Sequence, residues 1–178
     1  MTRIRQTGSR EIYLGRVFDL TVDRFVDDDV DDREFEIEVV HHSGGAAILP
    51  LDANGDVVLV RQWRYALGRT LLEAPAGRIE DGDDPATTAR RELEEEAGYA
   101  AGTIESLGSI LVAPGYTTER IHIFLATDLT PVPPRPDEDE RIEVVKMPFE
   151  EALARIDGGE IDDAKTIVAL LRTAARRR

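Results

Sequence analysis

The stretch Gly77–Tyr99, GRIEDGDDPATTARRELEEEAGY, decides how this chain is read. It opens as a glycine-led loop and continues into a segment crowded with acids. Eight carboxylates fall between Glu80 and Glu96. Asp84 followed by Pro85 is a strong helix start, and Gly98 a strong helix stop. The spacing therefore predicts a helix over residues 85–97. At 100° per residue, Ala86, Ala89, Leu93 and Ala97 form one apolar stripe. Glu92 and Glu96, four apart, share a face beside it, with Glu95 at the edge of that group and Glu94 on the other flank. Like charges at this spacing destabilise a helix, and a hard divalent cation reverses the sign because it seeks clustered carboxylate oxygens. A solvated glutamate-rich helix is the plainer reading, but it leaves the fixed spacing behind a glycine unexplained.

Outward from this stretch, the chain reads as a series of short strands. Residues 11–26 alternate apolar and polar residues as one or two strands around Gly15. The acid run 27–34 reads as a solvated hairpin tip, since it lacks the central glycine and spaced ligands of an EF-hand. Residues 35–40 return as a strand. His41 and His42 point to opposite faces of a strand, which disfavours a shared metal. Residues 46–51 form a buried strand, and Asn54-Gly55 signals a hairpin to residues 56–64 as its partner. Further strands fall at 71–74, 104–112, 121–126 and 142–146. Residues 113–120 are a loop, and 131–136 a proline-rich connector. Pro148 opens a helix that stops at Gly158-Gly159. A last helix covers 164–175, with Ile167, Leu170, Leu171 and Ala174 on one face. Many strands with few helices make the fold class α+β.

Whole-chain properties exclude several functions. The 178 residues suit one domain with a sizeable core. With no cysteine, disulfides, zinc–thiolate sites and thiol nucleophiles drop out. A formal charge of −14 disfavours nucleic acid as a partner. No apolar run approaches membrane-spanning length, and the first residues lack a secretory signal, so no membrane and a cytoplasmic setting are expected.

The central stretch resembles the Nudix box: a glycine, five residues, an acid, seven residues, then R-E-U-x-E-E-x-G-U with U apolar or aromatic. Here these are Gly77, Asp83, Arg91-Glu92-Leu93, Glu95-Glu96 and Gly98-Tyr99. Asp83, where the family usually carries Glu, is its one departure. The resemblance implies a Nudix α/β/α sandwich with a mixed sheet, the box being loop plus helix. It implies water attack on a phosphorus of a nucleoside diphosphate linked to another group. It implies Mg2+, with Mn2+ as a substitute, held by Glu92, Glu96, Glu95 and the carbonyl of Ala76.

Beyond the box, the chain is similar to the ADP-ribose pyrophosphatase group. Pro114 follows Tyr99 by 15 residues in a P-G-x-x-x-E loop with Gly115 and Glu119. Arg61-Gln62-Trp63-Arg64 is similar to the group's R-Q-Y-R strand end, where the second arginine reaches substrate. Leu72-Glu73-Ala74-Pro75-Ala76-Gly77 is similar to its lead-in, and Ile161–Thr166 to the start of its last helix. The substrate-binding candidates are therefore Arg64, Glu73, Gly77, Pro114, Gly115 and Glu119. Glu73 is equally readable as a partner of Arg64. The group takes its base from a loop well after the box, which points to Glu140 or Glu138, while some Nudix enzymes use a box glutamate such as Glu95. ADP-ribose is the expected substrate, another nucleoside diphosphate sugar the alternative, and a non-catalytic nucleotide-binding regulator the reading from a different class. Residues 1–44 form an N-terminal antiparallel strand region for dimerisation, and 45–178 the Nudix hydrolase domain. A homodimer is expected.

Overall fold

The computed structural model describes residues 3–80, 82–135 and 141–177. The chain forms two compact units. One comprises the chain up to Gly44 together with Leu111–Arg120, and the other Gly45–Ile110 with the chain from Ile121 onward. The loop around Pro114 thus belongs to the N-terminal unit.

In that N-terminal unit, β1 (Ile4–Leu14), β2 (Asp19–Asp27) and β3 (Arg33–His41) make an antiparallel sheet in the order β1-β2-β3. The acid run closes the β2–β3 hairpin as expected of a solvated tip. Asp31 and Asp32 adopt left-handed backbone angles, φ 48° and 51°, which aspartate tolerates better than most residues. Stacked Phe25 and Phe35 rings, 5.7 Å apart, fix the register. The end of β3 holds the 113–118 loop: the Val40 amide donates to Tyr116 O (2.8 Å), and the Thr118 amide to Val40 O (3.0 Å). The two histidines have separate partners. His41 Nε2 meets Thr21 Oγ1 at 2.9 Å, and His42 Nδ1 accepts the Gly44 amide at 2.9 Å.

The second unit is layered about β4 (Gly45–Pro50), which is buried along its whole length. β4 runs parallel to β9 (Arg120–Pro131) and antiparallel to β7 (Ala76–Arg78), and β8 (Tyr99–Leu111) completes a mixed sheet, β7-β4-β9-β8. A second sheet has the order β10-β5-β6, from β10 (Ile142–Pro148), β5 (Asp56–Arg64) and β6 (Arg69–Glu73). Successive residues of a strand face opposite sides, and β4 shows the result. Ile48 joins a cluster with Ala89, Leu93 and Ala97 of α1 (Pro85–Ala97). Leu49 joins another, with Ala152 of α2 (Phe149–Asp157) and Ala169 and Leu170 of α3 (Ala164–Arg176). Each fully buried Leu or Ile contributes roughly 1.5–3 kcal/mol. The outcome is an α/β/α sandwich.

Three local expectations change. The Asn54-Gly55 turn exists, with Asp52 accepting the Asn54 and Asp56 amides, but β5 is not the ladder partner of β4. Both edges of β4 are taken by β7 and β9, so only a single bridge, Leu51–Val57, links it to β5. Pro148 sits at the N-cap of α2 rather than at its first helical position. On α3 the buried face is Thr166, Ala169, Leu170 and Thr173, while Leu171 is 52% exposed. Threonines at core positions hide that face from a hydropathy pattern.

Candidate active site

The box opens as a strand, since Ala76–Arg78 is β7, paired with Gly45–Ala47 of β4. The helix that follows has the expected caps. The Asp84 carboxylate accepts the Ala86 amide at 3.1 Å, Pro85 takes the first turn, and Gly98 ends α1 at φ 71°. Burial of Ala89, Leu93 and Ala97 fixes the rotation of the helix. Glu92 and Glu96 then lie at the edge of the buried face, 8% and 3% exposed, while Glu94 is exposed and Glu95 half-buried.

Two contacts tie these carboxylates to β7. Glu96 Oε2 accepts the Ala76 amide at 2.9 Å. Glu92 lies so close over Gly77 that any Cβ there would overlap its carboxylate. This is why the box begins with glycine, a residue that permits close approach. Arg91 bridges the acids, with Nη2 at 2.9 Å from Glu92 Oε1 and Nη1 at 3.0 Å from Glu95 Oε2. Burial works against the Arg91 charge, yet the two carboxylates outweigh it and hold its pKa above the ordinary value. Among the described residues, no three His, Asp or Glu side chains converge in a cation cage, since Glu95 turns toward Arg91. The donor set nonetheless suits a hard cation: two buried carboxylates packed against the Ala76–Gly77 backbone, all offering oxygen. A cleft of about 420 Å³ lies on the Glu94–Glu95 side of the helix, lined by Arg91, Glu94, Glu95, Val132, Pro133 and Arg135.

A second cluster is built on Glu73, at the end of β6 and 1% exposed. Arg64, at the end of β5, grips it in a two-pronged fork. Nε donates to Oε1 at 2.7 Å and Nη2 to Oε2 at 2.8 Å. Burial pushes the Glu73 carboxyl up, but the Arg64 hydrogen bonds and the Lys165 and Arg64 charges win and hold it below its ordinary value. The Arg64 pKa is raised, first by its hydrogen bond to Glu73, with Glu96 and Asp163 adding to the field. Lys165 Nζ also reaches Glu73 Oε2, and it pairs with Asp163 at 3.0 Å. The Asp163 carboxylate caps α3 by accepting from the Thr166 amide (3.0 Å) and hydroxyl (2.6 Å), and Thr166 Oγ1 accepts the Ala74 amide at 2.8 Å.

The structure thus brings Ala76, Gly77, Glu92 and Glu96 together, with Glu95 beside them, and joins Arg64 to Glu73. Pro114, Gly115 and Glu119 belong to the N-terminal unit, where Glu119 stands 3.9 Å from His42. Glu138 and Glu140 lie outside the described residues. The involvement of Lys165 and Thr166 at this cluster was not read from the sequence. One signal was available: a lysine in the first turn of a helix opposes the helix dipole and needs anionic partners.

Fold and box carboxylates define the class: the chain belongs to the Nudix family, its residues 41–170 matching the family model of the NUDIX domain. More particularly, it is 38% identical over 168 residues to an ADP-ribose pyrophosphatase of Bacillus subtilis, covering 92% of this chain and 88% of that protein. It is 42% identical over 143 residues to a GDP-mannose pyrophosphatase of Pectobacterium atrosepticum, covering 75% of this chain and 74% of that one. Among solved structures, an ADP compounds hydrolase superimposes with a TM-score of 0.85 at 20% identity, over 98% of this chain and 94% of that chain, which supports the fold.

Proposed function

We propose that this chain hydrolyses ADP-ribose to AMP and ribose 5-phosphate. The observation that carries the reading is the span of the likeness to the Bacillus subtilis ADP-ribose pyrophosphatase. It takes in 92% of this chain and 88% of that protein, and a second ADP-ribose pyrophosphatase, of Mycobacterium tuberculosis, is 39% identical over 137 residues. A water oxygen attacks one phosphorus, the bridging P–O bond breaks toward the other phosphate, and a carboxylate accepts the water's proton. Glu92, Glu96, the Ala76 carbonyl and Glu95 would hold Mg2+, or Mn2+ in its place, which when bound neutralises phosphate oxygens and polarises water. Arg64 meets the substrate, oriented by Glu73, and Gly77 lets Glu92 approach the backbone. Pro114, Gly115 and Glu119 contribute the loop that contacts the substrate. Glu140 or Glu138 serves as base, with Glu95 the alternative.

The enzyme acts as a homodimer in the cytoplasm. The cytoplasmic setting is supported by a chain without cysteine. Among the described residues, no helix is long and apolar enough to cross a membrane.

The second reading, hydrolysis of another nucleoside diphosphate sugar, is favoured by the likeness to the GDP-mannose pyrophosphatase. A panel of ADP-ribose, NADH, GDP-mannose, UDP-glucose, diadenosine polyphosphates and nucleoside triphosphates, assayed with Mg2+, separates the two. The highest kcat/KM is expected for ADP-ribose. Preference for GDP-mannose would install the second reading, and preference for a triphosphate would defeat both. Absence of turnover on all of them would leave a nucleotide-binding regulator.

A further inference from the structure

The start of the last helix, Ile161–Thr166, has no part in the reaction described so far, yet two of its side chains end at the substrate-facing cluster. We propose that Lys165 is a positioning residue for Arg64, acting through the shared carboxylate of Glu73. The proposal rests on the reading that Arg64 meets the substrate.

The geometry is specific. Glu73 is nearly inaccessible, and its two oxygens are both engaged by the Arg64 fork. The fork fixes the two groups to each other, and a further contact ties them to another element. Lys165 supplies that contact by binding Oε2 from the α3 side. Its own position is set by Asp163, which is locked as the helix cap. Thr166 fixes the backbone next to Glu73 by accepting the Ala74 amide. The side chain and the backbone at 73–74 are therefore pinned from one helix end. The fork uses Nε and Nη2 of Arg64 and leaves the Nη1 edge directed outside it, on a side chain 37% exposed.

Stability alone is a poor account of this arrangement. Buried ion pairs are often matched or bettered by apolar residues of similar size, because desolvation offsets the attraction. Here the lysine also opposes the dipole of its own helix. Three charges, those of Glu73, Lys165 and Asp163, are spent on holding a single guanidinium.

The test compares wild type, Lys165→Met, Lys165→Arg, Arg64→Ala and the double variant Arg64→Ala/Lys165→Met. The readouts are kcat and KM for ADP-ribose with Mg2+, calorimetric Kd for the non-hydrolysable α,β-methylene analogue of ADP-ribose, and melting temperature. Lys165→Met is expected to raise KM and Kd together by about tenfold, within the range seen for directly coupled neighbours. Saturated kcat should fall by less than about threefold, the pattern of lost uniform binding. Lys165→Arg should restore most of the affinity, and the double variant should bind no more weakly than Arg64→Ala. A lower melting temperature with unchanged Kd would overturn the proposal, as would losses that multiply in the double variant. If Lys165→Met does not fold, Lys165→Gln takes its place with the same expectations. Failure of the wild type to hydrolyse ADP-ribose would strike the functional reading alone. The comparison would then be run on whichever panel substrate is turned over.

Discussion

Two carboxylates of similar burial carry different duties. Glu96 is held by the Ala76 amide at the helix edge and is proposed as a metal ligand. Glu96→Gln keeps size and hydrogen-bonding capacity but loses the charge. Turnover should drop by at least about 100-fold, since even outer partners of metal ligands typically cost 10–100-fold. A far-ultraviolet dichroism spectrum should remain unchanged, and full activity would remove Glu96 from the metal site. Glu73 instead serves the fold and Arg64. Its carboxyl is held below its ordinary value of 4.5, so the native state binds fewer protons there than the unfolded chain. The stability it contributes is complete above that ordinary value and is lost as pH falls through the depressed one. Urea titrations of wild type should show stability falling on acidification below about pH 4.5. Glu73→Gln should flatten that limb while costing about 3 kcal/mol at neutral pH, because it leaves the buried Lys165 and the half-buried Arg64 short of a partner. At Gly77, Ala substitution should weaken Mn2+ binding, read by titration calorimetry, because the new methyl group displaces Glu92.

At the scale of the element, α1 was legible almost to the residue. Its N-cap, first proline, apolar stripe and left-handed stop are all written in side chains that act locally. Asp84→Ala should therefore lower stability by about 1 kcal/mol. That corresponds to roughly 2–4 °C in melting temperature for a chain of this length. The acids followed from the same geometry: once Ala89, Leu93 and Ala97 face inward, Glu92 and Glu96 must sit at the edge. What escaped sequence reading was non-local. Nothing near Asn54-Gly55 says that β4 has both neighbours already assigned, so the hairpin signal was right about the turn and wrong about the pairing. The buried face of α3 was obscured because Thr166 and Thr173 occupy core positions. Thr166 is there for its hydroxyl, which bonds a residue that lies 92 positions earlier.

At the scale of the molecule, the N-terminal unit presents an exposed apolar group: Tyr13, Leu14, Val17 and Phe18, from 42% to 63% exposed. Exposed clusters of this kind mark contact surfaces. As a covering for that surface we propose a second copy of the chain. Light scattering should give the mass of a dimer, and the pair Leu14→Glu and Phe18→Glu should give that of a monomer. A monomeric wild type would sink the assignment. The N-terminal unit takes in the Leu111–Arg120 segment as well as the chain up to Gly44. That addition was invisible in the sequence, because the partners of the loop lie on β3.

The bond between the Thr166 hydroxyl and the Ala74 amide also has a consequence in time. Synthesis proceeds from the N-terminus, and ribosomes add roughly 5–20 residues per second. The strand end that carries Glu73 is therefore made roughly 5–20 seconds before its clamp, given the 92-residue separation and that rate. Throughout that interval the box helix can form while residues 73–74 remain unpinned. A nascent or prematurely ended chain would hold the carboxylates of α1 without a fixed Arg64. Completion of the last helix is thus the event that finishes the site, and because the same helix delivers Ala169 and Leu170 to the core, clamp and packing arrive together.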